Sequence, residues 1–207
     1  MKRILCYGDS NTWGYIGTTG ERYPEDVRWT GVLQKLLGPG YTVIEEGLNG
    51  RTTVRDDPDE DGRNGETALF PCLNSHKPLD LVVTMLGTND VKPVFAVTPS
   101  EIAAGMERLV EIILHSGCGR NGAPTLLLVS PPPIAEQGPF KEMFSGGTET
   151  CRELHTQYEA IARKYATAYL DGALHAKPSR EDGVHLGPEG HRDLAEAIAK
   201  EIQQIFQ

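Results

Sequence analysis

The chain has no apolar run approaching the ~18 residues that a membrane helix needs, and its opening Met1-Lys2-Arg3-Ile4-Leu5-Cys6-Tyr7 reaches Gly8-Asp9 too soon for the apolar stretch of a secretory leader. A cytoplasmic protein with no membrane partner is expected. A block of Lys and Arg is also missing. The 20 basic residues stand against 29 acidic ones, a formal charge of −9, whereas binding a phosphate backbone needs clustered cations. No nucleic-acid partner is expected. Cysteine is scarce too: Cys6, Cys72, Cys118 and Cys151 include no Cys-x-x-Cys pair and are read as having no close histidine partner. Zinc-site spacing is therefore missing, and four reduced, structural thiols are expected.

What is present suits a folded chain. A 39% hydrophobic share and 24% charged residues of both signs fit a globular protein, and the length fits a single domain over residues 1–207. Short β-type runs at 3–7, 41–45, 79–86, 125–130 and 168–171 alternate with helical patterns, which is the α/β signature. The third and fourth runs are nearly continuous Leu and Val, as strands covered on both faces require, so a five-stranded parallel sheet is expected. The clearest helix starts at Thr98-Pro99-Ser100-Glu101, where Thr98 and Glu101 make a capping box and Pro99 suits the first turn. Its apolar stripe of Ile102, Met106, Leu109, Ile112 and Ile113 runs until Gly117. A helix after Gly187-Pro188 carries Leu194, Ala195, Ile198, Ile202 and Ile205, and further helices are read at 29–37, 148–165 and 66–74. Two long loops, 53–65 and 131–147, read as lids or interface segments, or equally as solvated excursions.

Chemistry-bearing residues stand at the strand ends. Gly8-Asp9-Ser10 follows the first strand, which puts Ser10 at the carboxyl edge of a parallel sheet, where α/β ligand crevices form. Ser10 has the position of a nucleophile and equally that of an N-cap. In Asp182-Gly183-Val184-His185 a carboxylate precedes an imidazole by three residues. It can reach the ring Nδ1–H and leave Nε2 free to take a proton from serine. An aspartate capping the last helix, with a surface histidine beside it, is the plainer alternative. His191, inside the helical pattern, is read as a surface residue. Gly47-Leu48-Asn49-Gly50 and Gly87-Thr88-Asn89-Asp90 end the second and third strands; they read as turns or as hydrogen-bond donors, the Gly50 backbone and the Asn89 amide, for a developing oxyanion.

In that order, Ser10, Gly50, Asn89 and the Asp182/His185 pair resemble the Ser-Gly-Asn-His (SGNH, or GDSL) hydrolases. Gly8-Asp9-Ser10-Asn11-Thr12-Trp13-Gly14, Arg22–Gly31, Met85-Leu86-Gly87-Thr88-Asn89-Asp90 and Val129-Ser130-Pro131-Pro132-Pro133 are similar to its arylesterase and acyltransferase branch. The resemblance implies a flavodoxin-like three-layer α/β/α sandwich and a catalytic triad of Ser10, His185 and Asp182. It implies an oxyanion hole from the Ser10 and Gly50 backbone with Asn89, small acyl groups as substrates, no cofactor and no metal, and a homo-oligomer, in close relatives an octamer. Two departures stand out. Many members have leucine where this chain has Asn11, a change expected to alter only the local turn. The branch usually has alanine at the place of Gly50, which favours hydrolysis over transfer to alcohols. Trp13 is a candidate wall of the acyl pocket, and Arg51 and Arg55 are read as solvated loop cations. The function expected is a serine esterase for small carboxylic esters. Its rivals are an acetyl-sugar esterase, a metal-dependent phosphoesterase lacking the usual Asp/His ligand cluster, and a non-catalytic binding module.

Overall fold

A computed structural model describes all 207 residues. Five parallel strands form one sheet in the order β2-β1-β3-β4-β5: β1 Lys2–Gly8, β2 Tyr41–Gly47, β3 Leu81–Met85, β4 Thr125–Ser130 and β5 Ala168–Asp171. The helices are α1 Ser10–Trp13, α2 Trp29–Leu37, α3 Gly65–His76, α4 Pro99–His115, α5 Gly147–Tyr165, α6 Gly172–His175 and α7 Pro188–Ile205. The chain leaves β1 for β2 on one side and returns across β1 to β3 on the other. Strand order therefore reverses at β1, and the crevice outside its carboxyl end is where such sheets hold ligands.

Strand side chains alternate between two cores. Leu5, Tyr7, Val82, Leu126 and Leu128 face a layer built from α3, α4 and α5, while Ile4, Cys6, Leu81, Val83, Leu127 and Val129 face α2 and α7. This double coverage explains the near-continuous apolar runs of the central strands and gives three layers, α/β/α. The capping box on α4 forms as its sequence dictates, with Thr98 and Glu101 bonding reciprocally. No helix is long and apolar enough to cross a membrane.

Three sequence readings need correction. His191 is not on the surface: it is 0% exposed, on the buried stripe of α7 with Leu194, Ala195, Ile198 and Ile202. Its Nδ1 accepts the Trp29 backbone N–H at 3.3 Å, one of the amides that α2 leaves without an internal partner, and Tyr23 meets its ring edge-on at 5.3 Å. Arg51 is not solvated. It is 6% exposed, donates to the carbonyls of Gly8 and Glu46, and lies 4.1 Å over the Tyr7 ring. Cys72 does have a histidine partner in reach, because His76 stands one turn further along α3 and the two ligand atoms lie with that of Glu46.

Burial, with smaller contributions from nearby His185 and Arg28, pushes the His191 imidazole down to about 3. It is thus neutral in the fold, whereas in the unfolded chain histidine takes a proton near ~6.5. Stability from His191 is therefore present above that pH and lost as pH falls from there toward about 3. Asp9 and Asp90, raised to about 6 by burial, act in the opposite direction. The clean measurement is the difference between wild type and His191→Asn, whose amide oxygen can still accept from Trp29. Between pH 7 and 5 the wild type should lose about 2 kcal/mol more than the variant in urea unfolding.

Candidate active site

The turn after β1 sets the first component. Asp9, not Ser10, is the N-cap of α1, its carboxylate accepting the Asn11 N–H at 2.9 Å. Ser10, the first helical residue, thus keeps its hydroxyl free of capping. The second component comes from the loop before α7. One oxygen of Asp182 accepts the backbone amides of Val184 at 2.7 Å and His185 at 2.8 Å, and the other faces His185 Nδ1 at 3.1 Å. On the opposite ring nitrogen, His185 Nε2 lies 3.1 Å from Ser10 Oγ. A hydroxyl, an imidazole and a carboxylate thus form one continuous chain across 175 residues of sequence.

Electrostatics fit this order. Burial raises the Asp182 carboxyl, but the His185 side chain and the two backbone amides outweigh it and hold the group below its ordinary value, so it is an anion facing the ring. Space around it is tight, and a Cβ at Gly17 would stand 1.5 Å from Asp182 Oδ2. The Tyr15 ring lies 4.6 Å from the His185 ring and Phe140 meets it edge-on at 5.1 Å, so aromatic surfaces fix the imidazole plane.

The donor segments are tied together. Asn89, in the turn after β3, donates one amide N–H to the Arg51 carbonyl at 3.1 Å and leaves the other available. Next to it, buried Asp90 accepts the Thr53 backbone N–H at 3.0 Å and the Thr53 hydroxyl. Gly50 has a φ of 75°, a left-handed conformation that alanine adopts only with strain; its added Cβ would meet nothing closer than Arg63 at 3.4 Å. Ser10, Gly50, Asn89 and His185 line one cleft of about 670 Å³. Its walls include Tyr15, Phe140 and Phe144, and its mouth carries Asp57, Asp59, Glu60, Arg63, Lys92 and Glu142.

Trp13 does not line this cleft. Its ring lies 6.3 Å from that of Tyr15 and faces the Arg22 guanidinium at 5.2 Å. Tyr15 and Phe140 take the place expected of it; Phe140's only sequence signal was its position in the long 131–147 loop. Asn11 was also underread. Its amide donates to the Val184 carbonyl at 3.3 Å and accepts from the Leu186 N–H at 2.9 Å, clasping the backbone on both sides of His185.

A second Ser/His/Asp cluster exists at the ends of β4 and β5. Ser130 Oγ lies 2.9 Å and Asp171 Oδ1 2.6 Å from the same nitrogen, His155 Nδ1. A proton relay needs acid and serine on opposite ring nitrogens, and Ser130 is fully buried, so this cluster is a packed polar joint.

The chain belongs to the GDSL-like lipase/acylhydrolase family, whose model matches residues 6–192. Among solved structures it is similar to the native aryl esterase of M. smegmatis, with 44% identity, a TM-score of 0.94 and 99% of each chain covered. Est24, a carbohydrate acetylesterase from Sinorhizobium meliloti, is 42% identical with a TM-score of 0.94 over all of both chains. An arylesterase of Vibrio mimicus is 27% identical over 206 residues, covering 97% of this chain and 88% of its own length. An acetylxylan esterase of Xylanibacter ruminicola is 26% identical over 229 residues; the match takes 97% of this chain and 43% of that relative, so this chain spans less than half its length.

Asn11→Leu removes both clasping bonds and leaves the Leu186 N–H and the Val184 carbonyl without their side-chain partner in buried surroundings. The variant is expected to lose roughly 1–3 kcal/mol of stability in urea unfolding, more than a local turn change would cost.

Proposed function

We propose that the chain is a serine esterase that hydrolyses small carboxylic esters through an acyl-enzyme on Ser10. The observation that carries this reading is the placement of Ser10 Oγ and Asp182 on opposite nitrogens of His185, each at 3.1 Å, with Ser10 and His185 lining the cleft that Gly50 and Asn89 also line. His185 Nε2 takes the Ser10 proton as Oγ adds to the ester carbonyl. Asp182 holds the ring by its Nδ1–H and stabilises the imidazolium that forms. The Ser10 and Gly50 backbone amides and the free Asn89 N–H receive the carbonyl oxygen as it becomes negative. His185 then returns the proton to the leaving alkoxide, water enters, and the same groups act in reverse order to release the acid. None of these steps calls on a cofactor or a metal ion.

A second reading concerns the alcohol half of the ester. Four carboxylates, Asp57, Asp59, Glu60 and Glu142, stand against Arg63 and Lys92 at the cleft mouth. Such groups hydrogen-bond hydroxyls well and repel anions, and the aromatic walls can pack on a sugar face. These features support acetylated sugars beside aryl acetates as substrates, in keeping with the carbohydrate acetylesterase relative. Val94 and Met143, about half exposed on the same rim, are apolar surface that assembly into a homo-oligomer would cover. A walled cleft of that kind would also favour an alcohol acceptor over water, which is the basis for acyl transfer as a secondary activity.

Ser10→Ala should abolish hydrolysis of p-nitrophenyl acetate while keeping the wild-type melting temperature, and a variant with the wild-type rate would overturn the nucleophile assignment. Asn89→Ala should lower kcat by ~10²–10³ with a small change in KM, because the lost N–H acts on the transition state. Rates across acyl-chain length on aryl and sugar esters, with and without an added alcohol, measure the esterase and transferase shares.

A further inference from the structure

The β2 edge and the last turn of α3 bring together three side chains that the esterase chemistry leaves unused. Cys72 and His76 are four residues apart on one face of α3, and Glu46 projects from the end of the edge strand β2. One ligand atom from each lies within 4.8 Å of the others, with Glu46 Oε1 and His76 Nε2 at 2.7 Å. None of the three lines the cleft. We propose that Glu46, Cys72 and His76 form a site for one zinc-class divalent cation, with a solvent molecule as fourth ligand.

The donor set sets the ion. A thiolate, an imidazole and a carboxylate suit a borderline-soft, four-coordinate metal and disfavour the all-oxygen shells of calcium and magnesium. With bonds of ~2.0–2.3 Å, tetrahedral ligands stand about 3.5 Å apart, so rotations of these partly exposed side chains bring the cluster to that geometry. About a third of the Glu46 and His76 side chains is exposed, which leaves an entry path and room for the solvent ligand.

The backbone around the cluster is already anchored. Arg3 holds the His76 carbonyl at 3.0 Å, and Arg51 holds that of Glu46. In the metal-free chain, burial and the Glu46 charge push the Cys72 thiol up to about 12. Binding releases the thiol proton to solvent as the metal–sulfur bond forms. The ion would pin α3 to the sheet edge beside Arg51, whose own carbonyl orients Asn89.

Titration of the reduced, untagged chain with Co²⁺ tests the site. One equivalent is expected to bind with a thiolate-to-cobalt charge-transfer band, to be displaced by Zn²⁺, and to raise the melting temperature. Cys72→Ser should lose the band, and His76→Gln should bind more weakly by at least the ~10–100-fold that loss of an outer-shell partner costs. Both variants should keep wild-type ester hydrolysis, which reports an intact fold. Absence of the band in the wild type, or its survival in Cys72→Ser, would overturn the proposal. Should Cys72→Ser fold poorly, Zn²⁺ protection of Cys72 from iodoacetamide in the wild type decides the matter: unchanged alkylation overturns the site.

Discussion

The hydrogen bonds that join residues 10 and 11 to residues 184–186 are the constraint on which the site rests. Ser10 sits on a rigid sheet end, but His185 lies in a loop, and loop residues hold position only when their backbone is bound. Asp182 fastens that loop internally through the Val184 and His185 amides, and Asn11 fastens it to α1 from both sides of the imidazole. A misplacement of about 1 Å can cost ~10² in rate. In the proposed esterase these bonds shape the site as much as the Ser10–His185–Asp182 chain does.

Buried carboxylates around the strand ends reach different balances. Asp182 faces a ring that can take a positive charge and also receives two backbone amides, and it stays ionised. Asp9 and Asp90 accept hydrogen bonds too, but burial dominates and raises each to about 6. Asp9 caps α1 and Asp90 binds the Thr53 segment to the Asn89 turn. They organise the rim, and the group held ionised is the one placed against the His185 ring.

Much of the fold was legible because its signals are local. Short unbroken Leu/Val runs suit strands covered on both faces, and the Thr98/Glu101 capping box marks a helix start by hydrogen bonds spanning three residues. The misreadings at Arg51, His191 and Asn11 depend on distant neighbours. Arg51 looks like a loop cation until carbonyls of two strands and the Tyr7 ring surround it. His191 follows the α7 period onto the buried stripe, yet a buried histidine is credible only once the Trp29 amide is seen to need an acceptor. Asn11 meets residues 184 and 186 only after the chain ends converge. Trp13 is a similar case, since nothing in the sequence says that Tyr15 lines the cleft and Trp13 does not.

Residue types and their order were enough to determine the α/β alternation, the parallel sheet and the family. Gly-Asp-Ser after a first strand, amide donors after the next two and Asp-x-x-His before a last helix follow from short-range chemistry. Which imidazole nitrogen meets which partner was decided in three dimensions. So was the contrast between Ser10/His185/Asp182, with partners on opposite ring nitrogens, and Ser130/His155/Asp171, with both partners on one. The reason is physical: a relay is defined by distances of about 3 Å between groups on separate elements, and those distances exist only after strand order reverses at β1 and the packed layers bring the loops to one rim.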